Sequence, residues 1–196
     1  RAGIASLFTQ EFYRAVAERL NDDGIFVQWV QSYEVSGDTV RTVFATLSTA
    51  FPEIETWRTH RDLLLLATRR PIAHRADRLR ERLAGEPYRT GMLASWRVAD
   101  LEGFLGYYVA RPSLARALAA AFAGRLNTDD ANRLEFGFAR AVGTRGLFEL
   151  SEILELARGR GEDRPEPFEG ELFFPRVLDE RRRLYGASSE WAGLDE

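Results

Sequence analysis

Ala5 to Gln31 reads ASLFTQEFYRAVAERLNDDGIFVQWVQ, and this stretch decides the fold. Phe8, Phe12, Val16 and Leu20 recur at every fourth position, an apolar stripe along one face of a helix. Ser6 or Thr9 can cap its start, and Glu11 in the first turn suits the positive end of the helix dipole. Asn21-Asp22-Asp23-Gly24 then turns the chain, since Gly and Asn tolerate positive φ and Asp closes turns through its own carboxylate. Ile25 to Val30 is an apolar run without alternation, the pattern of a strand covered on both faces, so Trp29 is expected in the core. Gln28 interrupts that run. An amide near the end of a buried strand needs a partner, and ligands of open α/β sheets gather at the strands' carboxyl ends.

Beyond Gln31 the pattern continues as alternating elements. After a loop through Tyr33, Asp38 opens a helix with Val40, Val43, Phe44, Leu47 and Phe51 on one face, ended by Pro52. Glu53 to Thr59 and Leu63 to Thr68 read as two strands joined by the His60-Arg61-Asp62 turn, an antiparallel hairpin at the end of a sheet. A helix is predicted from His74, with Ala76, Leu79 and Leu83 as its core stripe. Residues 98–109 also read as helical, and Ser113 is placed as the cap of a helix through Leu114, Leu118 and Phe122. Further helices are predicted near Leu147 to Ala157 and Phe173 to Tyr185. Arg158 to Gly161 and Pro165 to Pro167 read as a linker between them.

Bulk composition narrows the function classes. With 45% hydrophobic and 29% charged residues the chain has the composition of a folded globular protein. Its net charge of −3 sets up no global field for nucleic acid, and no nucleic-acid partner is expected. Arg58 to Arg82 holds eight arginines against three acids, which reads as a solvated face. Cysteine is absent and there are two histidines, His60 and His74, so neither a disulfide nor a metal centre is expected. No run approaches the ~20 apolar residues of a membrane span. The chain starts at Arg1 inside what reads as a loop and is expected to be a fragment of a longer protein.

ASLFTQEFY, the Gly-started strand GIFVQWV and a helix ending in Phe51-Pro52, with Asn127-Thr128-Asp129-Asp130, Leu134-Glu135-Phe136 and Arg140 downstream, together resemble the spermidine synthase family. The likeness is greatest to its members fused to membrane segments. The resemblance covers about Ala2 to Arg140. It implies an α/β fold: the C-terminal half of a methyltransferase-like, Rossmann-type sheet with a terminal antiparallel hairpin, followed by a mostly helical region. The implied division is residues 1–72 for the sheet domain, 73–142 for a helical extension and 143–196 for a helical, acidic tail.

By the same resemblance the function would be transfer of an aminopropyl group from decarboxylated S-adenosylmethionine to a diamine. The parent would be cytoplasmic, or tethered where membrane segments are fused to it. Gln28 would lie beside the amine; alternatively it bonds a neighbouring loop backbone. Tyr33, just beyond the strand, can line a pocket. Asp129, Asp130 and Glu135 can pair with ammonium groups, while Asp130 or Thr128 equally suits a helix cap. The family's nucleotide loop and its general-base aspartate would precede Arg1, and its Tyr-bearing loop is replaced by Thr59-His60-Arg61-Asp62. The chain alone is therefore expected to be inactive, with the bare edge of the Ile25 to Val30 strand set against an N-terminal half or a second copy, a homo-oligomer included. A non-catalytic α/β scaffold for protein partners and a methyltransferase using the same cofactor pocket are the alternative readings.

Overall fold

A computed structural model describes residues 4–31, 35–59, 62–135 and 150–185. A 3₁₀ turn, Ile4–Phe8, leads into α1, Gln10–Arg19, whose start is capped by Thr9: its Oγ1 accepts the Phe12 N–H at 3.3 Å. β1 spans Phe26–Gln31, α2 Gly37–Leu47, β2 Glu53–Arg58 and β3 Asp62–Thr68. The cap of α2 is Ser36, which accepts the Thr39 N–H at 3.1 Å. The predicted elements of this half are thus present, but α2 stops at Leu47, four residues short of the Phe51 at which Pro52 was expected to end it.

These strands form one sheet with β5, Tyr108–Ala110, in the order β1-β3-β2-β5, each adjacent pair antiparallel. The hairpin β2–β3 sets β3 directly beside β1. Since β1 and β2 both oppose β3, they run the same way, and α2 connects them. Residues directly opposite on antiparallel strands share a face. One face therefore carries Phe26, Gln28 and Val30, then Ala67, Leu65 and Leu63, then Ile54, Thr56 and Arg58. Helix α1 and Phe51, beyond the end of α2, pack on this inner face at Phe26. Phe26 stacks on Phe51 with ring centroids 5.8 Å apart and meets Phe12 and Tyr13 edge-on.

The outer face is covered unevenly. At β2 and β5, Trp57 packs against Phe104 and Tyr108, with ring centroids 5.0 and 5.1 Å away. At β1 nothing comparable lies over it among the described residues: Val27 is 49% and Trp29 51% exposed. This corrects the expectation of a strand buried on both faces and of Trp29 in the core. The apolar run is real, but only Gln28 and Val30 of β1 are buried.

The rest of the chain departs further from its sequence reading. β4, His74–Arg75, precedes α3, Ala76–Ala84; α4 is Tyr88–Trp96, α5 Leu101–Leu105 and α6 Pro112–Ala121. Residues 107–110, predicted helical, leave α5 after Gly106 and pair with β2, the Arg58 N–H donating to the Tyr107 carbonyl at 2.9 Å. An aromatic and β-branched sequence favours that extended state once a strand edge is offered. Pro112, not Ser113, begins α6, its missing N–H falling where a helix leaves donors unpaired anyway.

α7, Leu150–Gly159, β6, Phe168–Glu169, and α8, Phe174–Tyr185, follow. The segment read as a linker is held in place. Gly161 turns with φ +66, a conformation that glycine adopts without cost, and β6 pairs parallel with β4. The Arg111 N–H donates to the Glu162 carbonyl at 3.0 Å. Buried Arg181 of α8 donates to the Asp163 carboxylate at 2.8 Å and to the Tyr108 carbonyl at 3.0 Å. The boundary expected between residues 142 and 143 lies outside the described residues.

Candidate functional site

Of the sequence-predicted residues, Gln28 and Asp129 each contact the first half of α1. Gln28 is the third of six residues in β1, opposite Leu65, and so sits in mid-strand instead of at its carboxyl end. Its side chain enters the inner face, where helix α1 brings Tyr13 against it. The Tyr13 hydroxyl donates to Gln28 Oε1 at 3.1 Å, and Gln28 Nε2 donates to the Trp29 carbonyl at 3.1 Å. Gln28 is 8% exposed and Tyr13 fully buried. Burial also pushes the Tyr13 phenol well above its ordinary pKa, so it stays a neutral donor. Gln28 thus bonds a side chain of α1 and the backbone of its own strand, where a neighbouring loop backbone was the partner expected within the fold. The signal was available: a tyrosine next to the apolar stripe of α1 has a hydroxyl to satisfy.

The second motif is anchored by its asparagine. Asn127 is fully buried: its Nδ2 donates to the Ala5 carbonyl at 3.3 Å and its Oδ1 accepts the Leu134 N–H at 3.1 Å. Its own N–H reaches Thr46 Oγ1 of α2 at 3.0 Å, and its carbonyl accepts the Gln10 N–H at 2.9 Å. One residue thus ties the 3₁₀ turn, α1 and α2 to the 127–134 turn. Asp129 and Asp130, by contrast, are exposed, as is Glu135. The Asp129 N–H donates to Glu11 Oε2 at 3.1 Å. Neither Asp130 nor Thr128 caps the next helical turn: Thr128 Oγ1 accepts from Ala131 N at 3.0 Å, and Asn132 Oδ1 accepts from Glu135 N at 3.3 Å. Tyr33 lies outside the described residues.

A separate polar cluster went unread in the sequence. Glu55 on β2 and His74 on β4 are both buried, with His74 Nε2 2.7 Å from Glu55 Oε1. Trp57 Nε1 donates to Glu55 Oε2 at 3.0 Å. Tyr108 stands beside them, its buried hydroxyl without a hydrogen-bond partner among the described residues, and its pKa is driven above the ordinary range by burial and then by the Glu55 charge. A glutamate between Ile54 and Trp57 in a strand was the available clue. The cluster bonds the main sheet to the β4–β6 pair, and its enclosure keeps it from a substrate.

Whether decarboxylated S-adenosylmethionine or a diamine fits can be judged from the surfaces. A groove of about 820 Å³ runs along α3, lined by Ala73, Arg75, Arg78, Leu79, Glu81 and Arg82. Three guanidinium groups are the wrong complement for a sulfonium or a diammonium chain. Gln28 is enclosed by protein, and the three carboxylates face water, so the described residues expected at the amine are not gathered into one pocket. Among them, no group of three or more His, Asp or Glu residues could hold a metal ion, and no helix is long and apolar enough to cross a membrane. No family model, no curated protein and no solved structure matches this chain.

Proposed function

We propose that this chain is a non-catalytic α/β interaction module built on a spermidine-synthase-like pattern, and that it acts through β1. One observation carries the reading: the side chain best placed by sequence to touch a substrate is closed off behind Tyr13, while Val27 and Trp29 of the same strand stand half-exposed. Among the described residues the position expected to meet a substrate is closed, whereas β1 offers apolar surface for assembly. Apolar side chains left on a sheet face drive association more readily than they tolerate water.

The strand order favours a second reading. β1 and β2, parallel, connected by α2 and separated by the antiparallel β3, support the expectation of a methyltransferase-type sheet end. In that reading the module completes a cytoplasmic or membrane-tethered aminopropyltransferase. Decarboxylated S-adenosylmethionine and a diamine would bind to polypeptide joined at β1, which also supplies the general base.

The test uses the native polypeptide that carries this chain. It is incubated with decarboxylated S-adenosylmethionine, or S-adenosylmethionine, and a panel of diamines, and product mass is followed. The module reading predicts no mass gain and no nucleoside binding. Gain of one aminopropyl unit, abolished in a folded Gln28→Ala variant, would establish the transferase instead; methyl gain would establish a methyltransferase.

A further inference from the structure

We infer that the groove along α3 binds a short acidic segment of a protein partner, held in extended form by the guanidinium groups of Arg78 and Arg82. The groove shares no residue with β1, so this second surface stands whether or not assembly occurs there.

The arginines of α3 are divided between its two sides. Arg80 serves the fold, its Nη2 donating to Glu102 Oε1 and to the Glu171 carbonyl, both at 3.0 Å. Arg78 and Arg82 lie two residues to either side of it, on the opposite face of the helix, and both are exposed. Arg82 follows Arg78 by four residues and Leu79 by three, so the three share one face, and all line the groove. Among the described residues neither guanidinium has a carboxylate partner. Arg82 is instead set over the Tyr88 ring, 5.5 Å from its centroid. Arg75, at the head of the groove, is already paired, with Asp77 at 3.3 Å and Glu169 at 3.4 Å.

The spacing selects the partner. Residues one helical turn apart have Cβ atoms about 5–6 Å apart. Residues two apart in an extended chain point the same way and lie about 6.6–7 Å apart. Acidic side chains at alternate positions of an extended segment therefore reach both forks together, each as a charge-assisted pair. Their methylene stems then lie on Leu79 and Ala73, the apolar part of the lining. A nucleic acid is matched less well. None of the six lining residues is aromatic, so bases have nothing to stack on. Glu81 within the lining, with Asp77 and Glu169 beside Arg75, repels a long continuous run of phosphates.

The probe is a blocked hexapeptide alternating glutamate with serine, titrated into the isotope-labelled chain while backbone amide resonances are followed. Residues 73–82 and Tyr88 should shift saturably, with a midpoint on the order of 1 mM or lower. The shifts should vanish in about 1 M salt, which screens exposed charges within about 3 Å. Arg78→Gln/Arg82→Gln, at exposed positions, should leave circular dichroism unchanged and weaken binding roughly fivefold or more, the loss of two exposed ion pairs. Arg14→Gln/Arg133→Gln removes the same charge outside the groove and should leave binding unchanged. No saturable shift, shifts confined to other residues, or equal weakening by the two double variants overturns the proposal. So does equal binding of the peptide with glutamine in place of glutamate, or tighter binding at these residues by a single-stranded oligonucleotide of equal charge.

Discussion

Asn127→Ala should be among the most damaging single substitutions in the 127–130 turn, and its size follows from four hydrogen bonds. Two use the side chain. Removing them leaves the Ala5 carbonyl and the Leu134 N–H without partners, and both residues are 1% exposed. A buried backbone group deprived of its partner costs about 1–3 kcal/mol, so the pair should cost about 2–5 kcal/mol. The two bonds made by the Asn127 backbone, to Thr46 and from Gln10, survive in alanine and bound the loss from above. For a chain of this length that corresponds to a fall of roughly 5–15 °C in Tm.

The assay is urea denaturation followed by circular dichroism, with Asp129→Ala and Asp130→Ala in parallel. Those carboxylates are exposed, and the Asp129 contact to Glu11 uses its backbone N–H, so both variants should stay within about 0.5 kcal/mol of the parent. The contrast makes the motif structural through its first residue. An Asn127→Ala loss under about 1 kcal/mol, or an equal loss in Asp129→Ala, would refute the reasoning.

Three further outcomes are expected. Tyr13→Phe and Gln28→Leu should each cost about 1–2 kcal/mol, with the double variant costing less than their sum, because the second change removes the group that the first orphaned; additive denaturation midpoints would show the pair uncoupled. His74→Ala deprives buried Glu55 of one of its two side-chain hydrogen-bond partners among the described residues and should cost about 2–3 kcal/mol, measured against the Glu55→Gln/His74→Ala double variant, which should recover part of the loss. The buried Tyr13 and Tyr108 phenols have pKa values raised in the folded chain, so the unfolded chain loses those protons first. Their ionisation should therefore leave stability unaffected below about pH 10 and lower it as pH rises further. The phenolate absorbance of these two tyrosines should appear only with unfolding, and an early, non-cooperative titration of all tyrosines would contradict their burial.

The first 68 residues were largely legible because local signals there agree with tertiary structure. The four-residue repeat of Phe8, Phe12, Val16 and Leu20, the Thr9 cap and Pro52 after Phe51 each act within a few residues of themselves. From His74 onward the decisive contacts are distant. Tyr108 becomes a strand residue because β2 offers an edge some fifty positions earlier in the chain. Residues 158–167 look like a linker in composition, yet Arg181 fixes Asp163 from outside the segment. The candidate site divides in the same way. Asn127 and Gln28 were visible as polar residues out of place, but their partners Ala5, Thr46, Leu134 and Tyr13 could not be chosen without the fold.

Trp29 shows why a misplaced expectation can still be informative. Strand composition records every surface that the strand packs against, inside the chain or outside it. FVQWV has apolar residues on both faces, whereas among the described residues it is the Phe26, Gln28 and Val30 side that is covered, by α1 and Phe51. A strand selected only for the contacts seen here would carry polar residues at 27 and 29, at no cost to the core. The difference between the pattern and the burial is the observation on which the proposed contact at the outer face of β1 rests. A covering partner reconciles the two, and substitution of Val27 or Trp29 by threonine should then weaken assembly while leaving the stability of the dissociated chain within about 0.5 kcal/mol.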